Sequence, residues 1–302
     1  MFPNYFFIKN LARFNLNKKF KNGMSYRFKY ATSLVLCFSV GILGCSHFSE
    51  DKGYSSSKQF DRVSASFHNS NGSQNSKSFF DFLSFLQKFM LRTADPFEKE
   101  GFPWRKPDLH FSSEQPSVTW IGHSTLLVRF HGKTILTDPI FSTRASPFSI
   151  IGPKRVIPPA LSLDELPPID FVVISHSHYD HLDLKTIKKL AIKSEKTVFF
   201  VPLGLKDLLE GAGARKVFEL DWWDEVRLGD IKFIATPAHH WSARSLLDRN
   251  KSLWASWMIV SQNFRFWFGG DTGYSDDFTE IRKRVGEPDL AAIPIGAYSP
   301  RS

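Results

Sequence analysis

From residue 118 onward, short apolar runs alternate with turns that are polar or contain glycine or proline. The runs are rich in β-branched and aromatic residues, which is typical of buried β-strands. The dipeptide His131-Gly132 predicts a tight hairpin turn between two of them. The predicted strands are Val118–Gly122, Thr125–Phe130, Thr134–Thr137, Phe171–Ile174, Thr197–Val201, Val217–Leu220, Ile231–Thr236, Leu253–Val260, Arg265–Phe268 and Leu290–Pro294.

Segments with apolar residues at helical spacing lie between these strands, at Leu184–Ile192, Leu205–Glu210 and Phe278–Val285. Strands interleaved with helices favour mixed sheets that are covered by helices on their outer faces. We therefore predict an α/β protein, an αββα sandwich whose polar site lies at one edge of the sheets. A size of about 200 residues suits one domain, and we assign residues 107–302 to it.

Residues 1–45 have a basic start, the uncharged stretch Ala31–Gly44, and the ending Ile42-Leu43-Gly44-Cys45. This is the layout of a signal peptide, because the apolar stretch is short for a membrane span. The ending resembles a bacterial lipobox, in which Cys45 would be lipidated, and Met24 would suit the start of such a leader. We expect a lipoprotein anchored in the bacterial cell envelope and facing the periplasm; the alternative is a single N-terminal transmembrane anchor.

Two further segments precede the predicted domain. Residues 46–77 are rich in serine and asparagine, which predicts a flexible tether. Residues 78–106 contain a stretch in which Asp81, Ser84, Lys88 and Arg92 share one side of a helix, opposite a wide apolar face. Such a helix either packs on the domain or lies in the lipid interface.

Charge and cysteine content exclude some classes of protein. Seven of the formal net +9 charges lie in the first 45 residues, which leaves +2 for the rest of the chain. A nucleic-acid partner is therefore not expected, since a binding domain would itself carry the basic surface. The two cysteines are Cys37 and Cys45, so the mature domain would have no disulfide.

The candidate chemistry begins directly after the apolar run Phe171–Ile174, in the motif H-x-H-x-D-H. His176 and His178 alternate along extended chain and would point to the same side, whereas Asp180 and His181 begin a turn and can face a second point. Imidazole and carboxylate without thiolate suit zinc or a similar divalent ion. The alternatives are a histidine-rich surface turn and buried histidines that are satisfied by hydrogen bonds.

Further ligands are expected at the ends of other strands. The strand Ile231–Thr236 runs into His239 and His240, of which we expect only one to be functional. The strand Arg265–Phe268 runs into two glycines that would leave the Asp271 carboxylate exposed at the strand tip. Such a carboxylate can bridge two cations, and the alternative for Asp271 is an ordinary capping or turn residue.

The chain resembles the metallo-β-lactamase superfamily, and within it the branch of N-acylphosphatidylethanolamine-hydrolysing phospholipase D. The H-x-H-x-D-H motif marks only the superfamily, whereas T-D-P-I-F-S, G-P-K-R and I-P-I-G-A-Y are much narrower. The matching segments are Trp120–Thr125, Thr137–Ser142, Arg144–Pro147, Gly152–Arg155, His176–Asp183, His240-Trp241, Gly270–Tyr274 and Ala291–Tyr298. The resemblance implies a metallo-β-lactamase fold over residues 100–302.

The resemblance also implies roles for individual residues. One zinc would be held by His176, His178 and His240, the last chosen because it precedes Trp241. The second zinc would be held by Asp180 and His181, with Asp271 bridging the two ions. Asp138 and His123 would support the ligands, since an unsupported imidazole rotates; a strand-end turn before Pro139 is the alternative for Asp138.

The activity implied is hydrolysis of a phospholipid such as N-acylphosphatidylethanolamine by a zinc-bound hydroxide, with Asp180 and Asp271 as catalytic residues. Family members continue with a strand that carries a final zinc-ligand histidine, whereas here no histidine follows His240 and the chain stops at Ser302. The second zinc would then be one ligand short, and we expect a truncated or partial sequence. The alternatives are another hydrolase of the superfamily, such as a lactonase, and an inactive remnant.

Overall fold

The computed structural model describes residues 53–73, 106–109, 115–150, 152–245 and 247–295. The predicted leader with Cys45, and the predicted amphipathic segment as far as residue 105, lie outside these ranges. Within them, no helix combines the length and the apolar character needed to cross a membrane.

Two β-sheets form the centre of the described part of the chain. The first sheet comprises β3 (Ser117–Gly122), β4 (Thr125–Phe130), β5 (Lys133–Thr137), β6 (Phe171–Val173), β7 (Val198–Pro202) and β8 (Lys216–Leu220). Its six strands lie in this order, antiparallel among β3, β4 and β5 and parallel from β5 to β8. The second comprises β9 (Glu225–Leu228), β10 (Ile231–Thr236), β11 (Ser256–Val260), β12 (Arg265–Phe268) and β13 (Leu290–Ala292). Its five strands lie in the order β13-β12-β11-β10-β9, in which only β12 and β13 are parallel neighbours.

The sheets face each other across an aromatic core. The Phe200 ring stacks on Phe233 at a centroid distance of 4.0 Å, and Phe171 meets Phe233 edge-on at 4.9 Å. The outer face of the first sheet is covered by helix α1 (Leu184–Lys193), and helix α2 (Lys206–Gly211) follows β7. Helix α3 (Asp277–Val285) packs on the outer face of the second sheet. These four layers confirm the predicted αββα sandwich.

The strand predictions are accurate where a run is buried and bounded by turns. β4, β10 and β12 have the predicted bounds, and His131 and Gly132 both have positive φ, as the hairpin requires. The predicted strand Leu253–Val260 starts only at Ser256, because the backbone of Leu253 bonds to Leu203 in a different part of the fold. β9 was not predicted, since its alternation of charged and apolar residues covers only four positions at the edge of the sheet.

Residues 53–73, which were predicted to belong to a flexible tether, are folded. This stretch forms a short 3-10 turn, Tyr54–Ser56, and a small antiparallel ladder of β1 (Phe60–Asp61) and β2 (Ser66–Phe67). Phe67 is completely buried in the core between the sheets. All described residues belong to one compact unit, Ser46–Ser302. The composition of the segment is polar on average, but the burial of a few aromatic side chains is enough to anchor it to the core.

Asp183, two residues after the H-x-H-x-D-H motif, fixes the start of helix α1. Its Oδ1 accepts the Lys185 N–H at 3.1 Å, and its Oδ2 accepts the Ser142 N–H at 2.9 Å and the Thr186 hydroxyl at 2.6 Å. Burial opposes ionisation of this carboxyl, but the hydrogen bonds outweigh burial and hold its pKa below the ordinary value. Asp183 therefore joins the helix to the loop that follows β5.

Replacing Asp183 with alanine is expected to lower the free energy of unfolding at pH 7 by about 2–4 kcal/mol, since a helix cap and charged hydrogen bonds are lost. The native pKa lies below the unfolded value, so this stabilisation is present above the unfolded pKa and is lost as the pH falls through the native one. Chemical unfolding of the variant and of Asp230→Ala, an exposed control, measures both effects. An Asp183→Ala protein as stable as the control would contradict the assignment.

Candidate metal centre

Three chain segments that follow strand ends converge at one edge of the sandwich. The Ser175 carbonyl accepts the Ala255 N–H, and the Trp257 indole donates to the Ile174 carbonyl at 2.8 Å, so the first sheet's strand tip is bonded to the second sheet. Gly270 has φ +59, and a Cβ atom there would lie 2.6 Å from the Ser175 Cβ. Only glycine permits this close approach, which brings the segment carrying Asp271 against the histidine motif.

Three imidazole nitrogens meet at a single point. His176 Nε2 lies 2.7 Å from His178 Nδ1, and His240 Nε2 lies 3.2 Å and 3.3 Å from these two atoms. Nitrogen ligands about 2.0–2.1 Å from a tetrahedral zinc ion are separated from each other by about 3.3 Å. The two separations from His240 Nε2 therefore match the ligand spacing of such an ion, and the His176–His178 separation of 2.7 Å is shorter by about 0.6 Å.

The electrostatics of the three histidines also suit a cation. Burial, followed by the neighbouring imidazoles, lowers the pKa of His176 well below its ordinary value. Burial and His240 lower the pKa of His178 to about 3, and burial lowers that of His240 to about 4. All three rings are consequently neutral at physiological pH and offer lone pairs. The residues present fit a bound divalent metal ion.

A second group of ligand atoms lies beside the first. His181 Nε2 is 3.0 Å from Asp271 Oδ2 and 3.8 Å from Asp180 Oδ2. Asp271 Oδ2 is also 4.0 Å from His240 Nε2, so this carboxylate stands between the two groups. Burial opposes ionisation of both carboxyls, but the His123 contact at Asp180 and the His181 contact at Asp271 outweigh it and lower their pKa values. Both carboxylates are therefore charged at neutral pH.

Asp138 orients imidazoles of both groups. Its Oδ2 accepts the His181 Nδ1–H at 2.7 Å and the Ser175 hydroxyl at 2.5 Å, while its Oδ1 accepts the Ser175 N–H at 2.6 Å. The Ser175 oxygen in turn lies 2.8 Å from His176 Nδ1 and can accept its proton. Asp138 is fully buried and has φ +33, a strained conformation of the kind found at functional sites. Asp138 thereby directs Nε2 of His181 and, through Ser175, Nε2 of His176 towards the other ligand atoms.

The structure separates the two neighbouring histidines and places His123 in the site. His240 reaches the other imidazoles, whereas His239 pairs with Gly273 and its N–H donates to the Thr272 hydroxyl at 2.9 Å. His123 Nε2 lies 3.1 Å from Asp180 Oδ2. Among the described residues, the groups with ligand atoms close enough to share an ion are His176 with His178 and His240, His123 with Asp180 and His181, and Asp138 with His176 and His181.

Arg244 is a supporting residue that the sequence did not indicate. Its guanidinium donates to the Ser177 carbonyl at 2.7 Å and to the Leu182 carbonyl at 2.8 Å. It also lies over the Tyr179 ring, 4.0 Å from the centroid. Both ends of the loop that carries His178, Asp180 and His181 are thus held by one side chain. The signal was weak, because an arginine four residues after His240 has no distinctive pattern.

Asn69 is a second supporting residue, and it lies in the predicted tether. Its Oδ1 accepts the His240 N–H at 3.0 Å and the Trp254 indole N–H at 3.1 Å. Its side chain is fully buried. The early segment of the chain therefore takes part in positioning a candidate ligand that is 171 residues away in sequence.

Replacing Asn69 with alanine is expected to lower the free energy of unfolding by about 1–3 kcal/mol, because the His240 backbone N–H loses its acceptor and the Trp254 indole N–H keeps only the Ala238 carbonyl. Asn71→Ala is the matched control, since Asn71 lies two residues away on an exposed turn. Denaturant unfolding of both variants measures the difference. Equal stability of the two variants would show that the Asn69 side chain does not stabilise this region.

Comparisons with known proteins show where this architecture belongs. A model described as the Beta-lactamase superfamily domain matches residues 133–302. The chain is 44% identical over 194 residues to N-acyl-phosphatidylethanolamine-hydrolyzing phospholipase D 1 of Caenorhabditis elegans, covering 61% of this chain and 54% of that protein. It is 40% identical over 189 residues to the mitochondrial N-acyl-phosphatidylethanolamine-hydrolyzing phospholipase D of Saccharomyces cerevisiae, covering 60% and 40%. The chain thus spans about half the length of these curated relatives.

Two matches are more distant. A UPF0173 metal-dependent hydrolase of Caldivirga maquilingensis is 31% identical over 188 residues, which cover 61% of this chain and 73% of that protein. Among solved structures, the metallo hydrolase Igni18 of Ignicoccus hospitalis is similar with a TM-score of 0.46 and 21% identity, covering 61% of this chain and 72% of that one.

Proposed function

We propose, since the chain belongs to the β-lactamase superfamily, that it is a zinc-dependent hydrolase that cleaves a phosphodiester bond of a membrane phospholipid. The substrate class is that of N-acylphosphatidylethanolamine, cut as by a phospholipase D. The observation that carries the proposal is the cluster of neutral imidazoles and ionised carboxylates beside an apolar cavity. The names of the nematode and yeast relatives support the choice of substrate.

The two groups of ligand atoms would hold two metal ions. His176, His178 and His240 would hold the first, Asp180 and His181 the second, and Asp271 would lie between them. Nitrogen and oxygen donors without thiolate suit zinc. When bound, such ions act as Lewis acids that acidify water and offset the charge of a phosphoryl group.

The residues around the centre prepare it for proton transfer. The Asp180 side chain is 41% exposed and ionised, so it can accept a proton from a water molecule at this edge. Asp138 holds the Nδ1 proton of His181 and, through Ser175, that of His176. Each of these rings therefore keeps one tautomer, with the Nε2 lone pair directed into the site.

An apolar cavity of about 350 Å³ adjoins the cluster. His123, Ser124 and Asp271, with Gly270 between the walls, form its polar end, and its other walls are apolar. The apolar wall residues are Trp120, Leu126, Phe268, Ala292, Ile293, Pro294 and Ile295. An amphiphilic substrate could place its polar group at the carboxylates and an acyl chain along this wall. The predicted lipid anchor at Cys45 would keep such a site close to its substrate.

The proposal is tested by incubating the full chain, loaded with zinc, with vesicles that contain N-acylphosphatidylethanolamine. The expected products are phosphatidic acid and an N-acylethanolamine, detected by mass spectrometry, with loss of activity after chelation and recovery after zinc addition. Turnover of lactones without turnover of the phospholipid would instead identify a lactonase. A protein that binds zinc and cleaves neither substrate would refute the proposed activity.

Replacing Ile293 with serine is expected to raise the KM for the long-chain phospholipid several-fold, because the apolar wall loses surface that an acyl chain covers. The kcat for a small water-soluble phosphodiester should stay unchanged, since that substrate has no acyl chain. Ile192→Ser is the matched control, an exposed isoleucine on helix α1. An equal effect of both substitutions, or an effect on the small substrate, would contradict the role of this wall.

A further inference from the structure

We propose that Trp241 is a positioning residue for the candidate ligand His178 and that Arg249 holds Trp241 in place. The inference rests on the proposed function, which puts a zinc ion at His178. The Trp241 ring packs against the His178 ring at a centroid distance of 4.2 Å and an interplanar angle of 70°. The Arg249 guanidinium carbon lies 4.5 Å from the centroid of the Trp241 ring. The three side chains therefore form a continuous series of contacts that ends on a candidate ligand.

His178 is held differently from the other imidazoles of the histidine motif. His181 donates its Nδ1–H to Asp138 at 2.7 Å, so a hydrogen bond fixes the orientation of that ring. His178 instead directs Nδ1 towards His176 Nε2 at 2.7 Å, and its Nε2 is buried with no hydrogen-bond partner among the described residues. An imidazole without such a bond rotates unless packing restrains it. The edge-to-face contact with Trp241 supplies this restraint, since aromatic pairs favour that geometry.

The backbone brings Arg249 to Trp241. The Asn250 N–H donates to the Ser242 carbonyl at 2.8 Å, and the Ser242 N–H donates to Asn250 Oδ1 at 3.2 Å. Trp241 and Arg249 directly precede these two paired residues, so the pairing sets them side by side. Asn250 has φ +55, a conformation that asparagine adopts more readily than most residues. The loop is therefore closed at its base in a way that places a cation against the indole.

The contact between Arg249 and Trp241 is a cation–π interaction. Tryptophan is the aromatic side chain whose face attracts a cation most strongly, and the attraction increases when water is partly excluded. Arg249 is partly buried, which meets this condition. An indole fixed in this way restrains His178 in turn. Loss of the cation should therefore loosen the His178 ring and weaken the ion that it binds, although no ligand atom is removed.

The experiment titrates zinc into the metal-free full chain with a chromophoric competitor. Trp241→Leu should raise the Kd of the first equivalent about tenfold, and Arg249→Met should raise it about threefold or more. Trp241→Phe and Arg249→Lys should stay within about twofold of the wild type, since an aromatic face and a cation are retained. In the wild type, the ¹⁵N resonance of His178 Nδ1 should shift when the first equivalent binds, which identifies the ion.

A second cation–π pair in the chain provides the matched control. The Arg284 guanidinium carbon lies 4.3 Å from the centroid of the Trp223 ring, and Arg284 belongs to helix α3 on the outer face of the second sheet. Arg284→Met removes the same kind of contact away from the candidate ligands, so its zinc affinity should stay within about twofold of the wild type. Circular dichroism checks that each variant is folded, and the Arg249 variants decide the question without Trp241→Leu.

The outcomes separate this inference from the proposed function. Equal zinc affinity of Arg249→Met and Arg284→Met overturns the inference, and so does an equal loss in Arg249→Met and Arg249→Lys, which would show that the cation is not what matters. An unshifted His178 Nδ1 resonance also overturns it. Zinc affinities in the expected order without phospholipid cleavage refute the proposed substrate and leave this inference standing. A wild type that binds no zinc contradicts both proposals.

Discussion

Replacing His240 with alanine is expected to weaken binding of the first zinc equivalent by at least about 100-fold. The reason is geometric, since His240 Nε2 lies within 3.3 Å of the donor atoms of both His176 and His178. Without His240, only the imidazoles of His176 and His178 remain to bind the first ion. Phospholipid hydrolysis should fall on the order of 10³-fold, because several kcal/mol of Lewis-acid stabilisation are lost with the ion.

The neighbouring histidine provides the control for this prediction. His239→Ala removes the same side chain one residue earlier, where the backbone pairs with Gly273 and the ring is not part of the three-imidazole group. Its zinc affinity should stay within about twofold of the wild type, since no donor atom is removed. Competitive zinc titration and lipid turnover measure both variants. Equal losses in the two variants would mean that the site depends on the fold of this loop rather than on the His240 nitrogen.

Replacing Asp138 with asparagine is expected to weaken both zinc equivalents by about 10–100-fold. Asp138 accepts three hydrogen bonds with two carboxylate oxygens, and an amide has only one oxygen to offer. The amide N–H group would then face a donor of Ser175 or His181. The free energy of unfolding should also fall by about 2–4 kcal/mol, because a fully buried network is left partly unsatisfied.

Asp170→Asn is the matched control, since Asp170 accepts the Thr134 N–H near the opposite end of the same strand pair. Zinc titration and chemical unfolding of both variants measure the two effects. A loss confined to the second equivalent would show that the Ser175 hydroxyl does not transmit the orientation of Asp138 to His176. Unaltered affinity for both equivalents would refute the positioning role.

Most strands could be predicted because their signal is local. In β4, β10 and β12, apolar and β-branched residues fill the run and turn residues bound it, so neighbours in sequence determine the conformation. β9 was not predicted because its alternating pattern extends over only four residues of a partly exposed edge strand. The start of β11 was misplaced, since Leu253 is as apolar as the strand but bonds elsewhere.

The segment from 53 to 73 shows the limit of composition as a guide. Serine and asparagine indicate a flexible chain when they are averaged over a window. Phe67 and Asn69 are nevertheless fully buried, one by its apolar surface and the other by hydrogen bonds to His240 and Trp254. These two residues fold the segment although its average composition is polar. Their partners lie far away in sequence, so no local pattern reveals them.

The sequence by itself determined the layered fold, the histidine motif at a strand end and the family to which the chain belongs. These depend on periodicity and spacing, which are properties of residues close together along the chain. The resemblance predicted His240 rather than His239 as a ligand, and the tertiary structure brings His240 to the other imidazoles. Only the tertiary structure showed which groups Asp138 bonds to. Those outcomes depend on contacts across tens to hundreds of residues, such as the 43 residues between Asp138 and His181. Such contacts exist only after the two sheets have packed and brought their strand ends to one edge.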